Sequence, residues 1–526
     1  MPLREYLCAL LLLAFAAVSR AQPPNVRVSA PTITDPEEVT IAINPVAPNR
    51  LAAGSNLRYF YRSSDYGRTW IQSQLPEGTW GDPCVIYDEY GLLLYAHLAN
   101  RPTGVYFIDR LVVHRSATNG VRWIDSAEVG YNPPERGQDK EWLAVDRTQS
   151  AYRNYIYMAW TEFDVYGSTS PLDSSRIRFA RSTDRGVTWS TPVRVSDRGG
   201  DCIDSDNTVE GAVPAVGPNG EVYLSWSGPL GIVFDKSTDG GLTWGTDRVV
   251  TSQPGGWDFS VPGIYRCNGF PVTACDISAS STRGRVYIAW SDQRNGMDNT
   301  DVFLIASSDG GETWGPVRQV NDDMSPRHQF FHWMTIDQST GTLWFVFYDR
   351  RATTGNATDV YVARSSDGGE TFSNFRVSAS SFTPMPGVFF GDYTNIAAAQ
   401  GAVYPIWMRM DGSNLSVWTA LVADSPATAV EAESLRPASL HLEQNYPNPF
   451  NPSTSITYWL PAGEARPAVV QVFDILGREV VTLVNEVQDA GPHTIRFDAT
   501  GLASGYYYCR LSSANQAVQK RMLYIR

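Results

Sequence analysis

The sequence predicts an all-β chain in which short antiparallel sheets repeat and close into a ring, followed by a smaller β-domain. Three observations predict it. The pattern Ser-x-Asp-x-Gly-x-Thr-aromatic recurs at Ser63–Trp70, Ser182–Trp189, Ser237–Trp244, Ser307–Trp314 and Ser365–Phe372, and a worn copy at Ser116–Trp123 makes six. Between the copies runs a strand of the type Val-Tyr-x-x-Trp, as in Val222–Trp226, Val286–Trp290 and Val403–Trp407, with relatives at Leu343–Phe347, Ile156–Trp160, Leu92–Tyr95 and Leu51–Gly54. Finally, 12% aromatic residues, 43 Gly and 33 Pro in 526 residues suit many short strands joined by tight turns. Self-similarity at a long period marks an array of supersecondary units, too long here for one ordinary core.

Each element follows in order. Residues 1–21 read as a secretory signal: Arg4 gives the positive start, Leu7–Val18 the apolar run and Ser19-Arg20-Ala21 the small-residue site. The run is too short to anchor in a membrane, and Cys8 lies inside it, not after a lipobox. In the repeated pattern the Asp accepts hydrogen bonds from backbone N–H groups just ahead, and Gly supplies the left-handed backbone of the turn. The following aromatic then fills the gap between sheets, so these aspartates are structural. Each unit reads as an inner strand such as Ala212–Val216, the Val-Tyr-x-x-Trp strand, a third strand ending in the turn, and an outer strand such as Pro192–Ser196 or Pro316–Val320. The second hairpin counts seven units and the turn counts six; the last unit, with its third strand at Ser416–Val422, lacks an outer strand. Asn25–Ser29 resembles the outer strands Val193–Ser196 and Phe375–Ser378, and pairing it with the last unit closes the ring. The expectation is therefore a seven-bladed β-propeller over residues 22–424, with six blades as the alternative.

Residues 425–439 change composition and read as a linker. Residues 440–526 then form a small β-sandwich, opened by the closely spaced prolines of Asn445–Pro452 and continued by strands at Ile456–Leu460, Val469–Ile475, Thr494–Phe497 and Tyr506–Leu511. A net charge of −13 argues against nucleic acid or an anionic membrane as partner. Past the signal, five cysteines remain, with Cys202, Cys267 and Cys275 in neighbouring long loops where one bridge could form, and their odd number leaves at least one thiol unpaired.

Two family resemblances rest on these residues. The repeated turn resembles the BNR or Asp-box repeat of the sialidase superfamily. Tyr446–Ser453, Val472–Val480, Leu502–Tyr506 and the basic-apolar end Lys520–Arg526 resemble the type A sorting domain of the type IX secretion system. The second resemblance implies passage across an outer membrane, handling by that machinery, and release or surface attachment.

A propeller gathers inner-strand starts and second-strand ends around one mouth. Inner-strand starts supply Glu38, Asp82, Asp139, Lys140, Glu141, Glu210, Asp276, His332, Asp392 and Tyr393; second-strand ends supply Glu162, Asp292, Arg294, Asp349, Arg350, Arg351 and Arg409. Carboxylates interleaved with cations around one concavity suit sugar or carboxylate recognition. The sialidase resemblance implies a tyrosine nucleophile, a glutamate partner, an aspartate acid/base and three arginines. By position, Tyr393 or Asp392 is the candidate nucleophile, Glu210 its partner, Asp139 or Glu141 the acid/base, and Arg350 or Arg351 the third arginine. Lys140, Arg294, Arg409 and His332 complete the candidate substrate-binding set. The first arginine motif is absent, since Pro36–Thr40 stands there; Trp226 occupies the second arginine's place, and Gly54–Leu57 offers no acid/base aspartate. Two functions stay open: an exported exo-glycosidase-like hydrolase with a degenerate sialidase site, or a non-catalytic propeller binding glycan or protein. No cofactor is expected. Asp201, Asp204 and Asp206 are weak calcium candidates, with a solvated acidic loop preferred.

Overall fold

The computed structural model describes residues 22–31, 36–75, 78–100, 108–131, 136–424, 440–442, 444–445, 447–461, 465–488, 491–514 and 516–526. The expected signal and linker, and Tyr446, lie outside them. The chain divides into two compact units, Met1–Val422 and Ala423–Arg526.

In the first unit the described residues form seven antiparallel sheets: six are four-stranded and run inner to outer in chain order, and the last has five strands and takes its outer strand from Asn25–Arg27. The inner strands are Thr40–Ile43, Thr79–Tyr87, Gly137–Val145, Glu210–Val216, Val272–Cys275, Gln329–Asp337 and Asn395–Ala399. Each inner strand neighbours the next, and the last neighbours the first, so the sheets are the blades of a closed β-propeller. We number them 1 to 7 from Thr40–Ile43. The ring closes through Asn25–Arg27, which pairs antiparallel with Asn414–Ala420 of blade 7.

The repeated turn does what its residues dictate. In blade 1, Ser63 Oγ donates to Asp65 Oδ1 (2.7 Å), Gly67 N–H donates to Ser63 Oγ (2.9 Å), and Thr69 donates from its backbone N–H to Oδ1 (3.0 Å) and from its hydroxyl to Oδ2 (2.6 Å). These bonds to the charged form pull Asp239 and Asp367 down to about 2, even though partial burial opposes it. In the worn copy Thr118 stands in for the Asp, its hydroxyl accepting from Arg122 N–H (2.9 Å). The turn also clasps the blade before it. Trp244 meets Phe179 edge-on at 4.8 Å, and Trp314 meets Phe234 at 5.2 Å. Gly311, at φ +84°, comes so close to Phe234 that a Cβ there would lie 2.2 Å from the ring. The tryptophans of the second strands, Trp160, Trp226, Trp290 and Trp407, are fully buried between blades.

Side chains also stitch the hub, where inner-strand edges have no further strand to pair with. Thr40 Oγ1 accepts Val85 N–H of the next blade (3.1 Å), Asn395 Oδ1 accepts Ile41 N–H (3.3 Å), and Thr394 Oγ1 donates to Phe331 O (2.6 Å).

The second unit packs two sheets face to face. One joins His441–Leu442, Ser453–Leu460 and Gly491–Asp498; the other orders Glu479–Gln488, Arg466–Asp474, Gly505–Ser513 and Gln516–Tyr524. Both contribute to one core, with Ile456, Tyr458 and Phe497 from the first against Val470, Val472, Leu511 and Met522 from the second. Glu479–Gln488 and Gln516–Tyr524 are strands the sequence pattern did not mark, because their polar faces mask the alternation.

All five described cysteines are buried free thiols, and the bridge that the loops of Cys202, Cys267 and Cys275 allowed does not form. Cys267 and Cys275 lie in different strands of blade 5 and its preceding loop.

Candidate functional site at the propeller mouth

The starts of the inner strands are bent by β-bulges. Pairing registers slip between Gly81 and Cys84, Asp139 and Trp142, Glu210 and Val213, and Phe330 and Trp333. At or beside these slips Asp82, Lys140 and Phe331 adopt positive φ of 46°, 52° and 49°, and Glu38 in blade 1 does so at 51°. A bulge re-aims side chains. Here it turns charged ones over the hub instead of into the sheet.

Lys140 is the focus. Its ammonium, nearly buried, lies 2.5 Å from Asp392, 3.4 Å from Asp82 and 3.5 Å from Glu38. Arg266, from the long connection between blades 4 and 5, forks onto Asp392: Nε donates to Oδ1 (2.8 Å) and Nη2 to Oδ2. Asn268 donates to the Asp392 carbonyl (3.0 Å). Burial alone would push Asp392 up, but Lys140 and Arg266 outweigh it and hold the carboxyl well below the usual range. Burial opposes the charge of Lys140 likewise, and the three carboxylates raise it well above an ordinary lysine. Asp82 is lowered too, burial losing to Lys140.

Other carboxyls around the mouth go the opposite way. Burial, then the charges of Asp204 and Asp139, raises Glu210 well above its ordinary value. Burial and Asp82 raise Asp139, Glu141 and Glu38. Both side-chain oxygens of Glu210 and of Glu141 are buried without a hydrogen-bond partner. Tyr393 donates to Asp82 Oδ1 (3.3 Å), and burial followed by Asp82 raises its phenol. An aromatic floor supports it: Trp142 and Trp333 are 4.3 Å apart, and each lies 5.8 Å from Tyr393.

Two cavities open here. One of about 40 Å³ touches Tyr393, Asp82, Glu141 and His332. The other, of about 120 Å³, touches Glu210, Asp139, Asp204, Asp258, Arg266 and Trp257. Lys140, Asn268, Phe270 and Asp392 border both.

The structure thus brings together Tyr393, Asp392, Lys140, Asp139, Glu141, Glu210 and His332, whose Nδ1 meets Ser291 Oγ at 2.9 Å. It corrects other expectations. Asp392 is gripped by two cations, with Arg266 on both carboxylate oxygens and Lys140 on Oδ2. The carboxylate on Tyr393 is Asp82, in place of Glu210. The four arginines Arg294, Arg350, Arg351 and Arg409 border neither cavity and have partners elsewhere. Arg294 forks onto Asp292 (2.9 and 2.5 Å) and stacks on Phe303; Arg351 pairs with Asp349 (2.7 Å). Arg409 pairs with Asp411 (2.8 Å), while Arg350 donates to Pro262 O (2.7 Å) and Thr358 Oγ1 (3.1 Å). Glu162 is held by Arg136 and Arg176. Asp276 follows the inner strand Val272–Cys275, at its opposite end, where it ties Ser278, Ser280 and Thr282 into a turn. The calcium candidates diverge: Asp201 accepts from Thr208 Oγ1, Asp204 from Tyr166, and Asp206 from Asp258 N–H. Among the described residues no group of three or more His, Cys, Asp or Glu is placed to hold a metal.

Sequence reasoning missed Arg266, Asn268, Trp257 and Asp258, and gave no role to Asp82 or Glu38. The one available signal was the length of the connection between Thr251 and Val272, far longer than a blade link requires.

Comparison with known proteins gives one domain assignment: residues 444–525 match the secretion system C-terminal sorting domain. No curated protein matches the chain. Among solved structures, the chain is similar to an ulvan lyase, a polysaccharide lyase (13% identity, TM-score 0.44, covering 79% of this chain and 100% of that one). It is also similar to a Penicillium chrysogenum α-L-arabinanase (14%, 0.41, 65% and 92%) and to Trypanosoma rangeli sialidase (10%, 0.40, 95% and 89%). Likenesses this distant bear on no residue's role. No helix among the described residues is long and apolar enough to cross a membrane. The chain is a propeller protein carrying a secretion system C-terminal sorting domain, and it is exported by the type IX route to the cell surface or beyond.

Proposed function

We propose that the propeller mouth acts on glycans outside the cell, as a glycosidase-like hydrolase with Glu210 as proton donor and Tyr393 and Asp82 as nucleophile and base. The observation that carries this reading is the split in charge state around one concavity. Lys140 pulls Asp392 and Asp82 down, while burial and the neighbouring carboxyls push Glu210 and Asp139 up. Carboxyls pushed in opposite directions are what acid/base chemistry at neutral pH requires. Trp257 and Phe270, 4.6 Å apart, offer apolar faces of the kind sugar rings stack on.

A second reading, glycan binding without turnover, is favoured by the small space at Tyr393. About 40 Å³ admits a few waters and no sugar ring.

The test is turnover of a panel of fluorogenic glycosides by the full mature chain and its Glu210→Gln and Tyr393→Phe variants. The hydrolase reading expects turnover in the wild type, falling at least ~10²-fold in each variant. It also expects a rate that declines as pH rises through the raised Glu210 value, because the donor proton is lost there. Glycan binding with no turnover on any member establishes the second reading; neither binding nor turnover overturns both.

A further inference from the structure

From the charge balance of the larger cavity we infer that it recognises a protonated primary amine, so that within the glycan-acting reading, on which this rests, the ligand is an amino sugar bearing a free amine. Five carboxyl groups line that cavity (Asp139, Asp204, Glu210, Asp258 and Asp392) against two cations, Lys140 and Arg266. Both cations are already committed to the same carboxylate, Asp392, at 2.5 Å from Lys140 and through a two-pronged contact from Arg266. Arg266 reaches Asp204 only at 3.6 Å. An anionic ligand entering here meets no unspent cation and several carboxyls.

The second observation is Glu210 itself. It is 1% exposed, it borders the cavity, and among the described residues no N–H or hydroxyl donor reaches either carboxyl oxygen, its side-chain neighbour being the carboxyl of Asp204. A buried carboxyl left so is destabilised unless a ligand or water satisfies it. An ammonium, with three N–H donors and one positive charge, meets both needs at once. The aromatic wall fits the same ligand. Trp257 is fixed by donating Nε1–H to Thr208 O (3.1 Å) and stacks at 4.6 Å on Phe270, and ring faces beside carboxylates attract cations. Asp258, exposed on the rim, adds a further charge at the entrance.

The experiment is isothermal titration of the full mature chain with the β-1,4-linked glucosamine disaccharide, its N,N′-diacetyl form, glucuronic acid and 1,4-diaminobutane, at neutral pH and low salt. The free-amine disaccharide is expected to bind at least ~10-fold more tightly than the acetylated one, with no binding of glucuronic acid. Glu210→Gln and the rim variant Asp258→Asn are both expected to shrink that ratio, and circular dichroism checks that each is folded. Equal or tighter binding of the acetylated sugar or of glucuronic acid overturns the inference. If only the diamine binds, and loses affinity in both variants, the ammonium site stands and the glycan reading fails. If neither amine binds, the inference fails whatever happens to turnover on neutral glycosides.

Discussion

Lys140 shows how much of this site is one residue's doing. It sits at φ +52° on a bulge, a backbone state that costs a non-glycine residue on the order of 1 kcal/mol, and it reaches three carboxylates from three other blades. Glu38 and Asp82 share the strained geometry, at φ 51° and 46°. Such strain persists where the surroundings over-determine it, and it gathers at functional sites. The ammonium is the counter-charge that lets Asp82 and Asp392 stay ionised in the hub. Lys140→Met is therefore expected to destabilise the propeller by about 3–5 kcal/mol, since the partners are left as uncompensated buried charges. Urea unfolding followed by tryptophan fluorescence reads this directly. An unchanged midpoint would show that the carboxyls simply protonate at little cost. Glu210 contrasts with it: no ion pair with a cation reaches it among the described residues, and burial beside Asp204 and Asp139 raises its carboxyl well above the ordinary value.

The element that decides the blades is the serine–aspartate turn. Its hydrogen bonds are local, so it forms wherever its residues occur, yet its effect is not local. The Gly and the aromatic press on the blade before, as Gly311 and Trp314 do on Phe234. Gly311→Ala adds a methyl in the left-handed region and drives it to 2.2 Å from a packed ring. Overpacking and lost backbone freedom together are expected to cost roughly 2–4 kcal/mol. A thermal midpoint unmoved by that substitution would mean the turn does not grip its neighbour. A second device, a carboxylate at the far end of the inner strand, repeats in Asp88, Asp146, Asp276 and Asp337, where each accepts from the turn that follows. It accounts for Asp276, which the sequence placed at the mouth.

At the scale of the whole molecule, closure depends on Asn25–Arg27, three residues at one end of the chain paired with Asn414–Ala420 near the end of the propeller. The bond between Asn25 Nδ2 and Val377 O (2.7 Å) also ties this strand to blade 6. Deleting residues 22–31 leaves the third strand of blade 7 as an open edge, a template for pairing with another chain. The expected result is a lower unfolding midpoint and concentration-dependent association in sedimentation velocity. A monomer of unchanged stability would show that the ring needs no such clasp. The second unit is a sandwich with its own core, in keeping with its assignment as a sorting domain.

What the sequence determined by itself was everything carried by short-range pattern. The turn needs only Ser, Asp, Gly and Thr within eight residues, and strands such as Val222–Gly228 need only their apolar run, so the repeat, the all-β class and the terminal sandwich were legible. The inward-facing starts of most inner strands were legible as well, Val272–Cys275 excepted, which is why Tyr393, Lys140 and Glu210 were found together. Tertiary structure alone decided which charges remain free. Arg294 and Arg351 look like ligand-gripping residues in sequence, but Asp292 and Asp349, two positions away in each case, neutralise them on the blade flank. Arg266 sits in a connection with no pattern at all and reaches Asp392 across 126 residues. Ion pairing depends on distance in space, and a hub that draws seven distant strand ends together sets those distances only when the ring has closed.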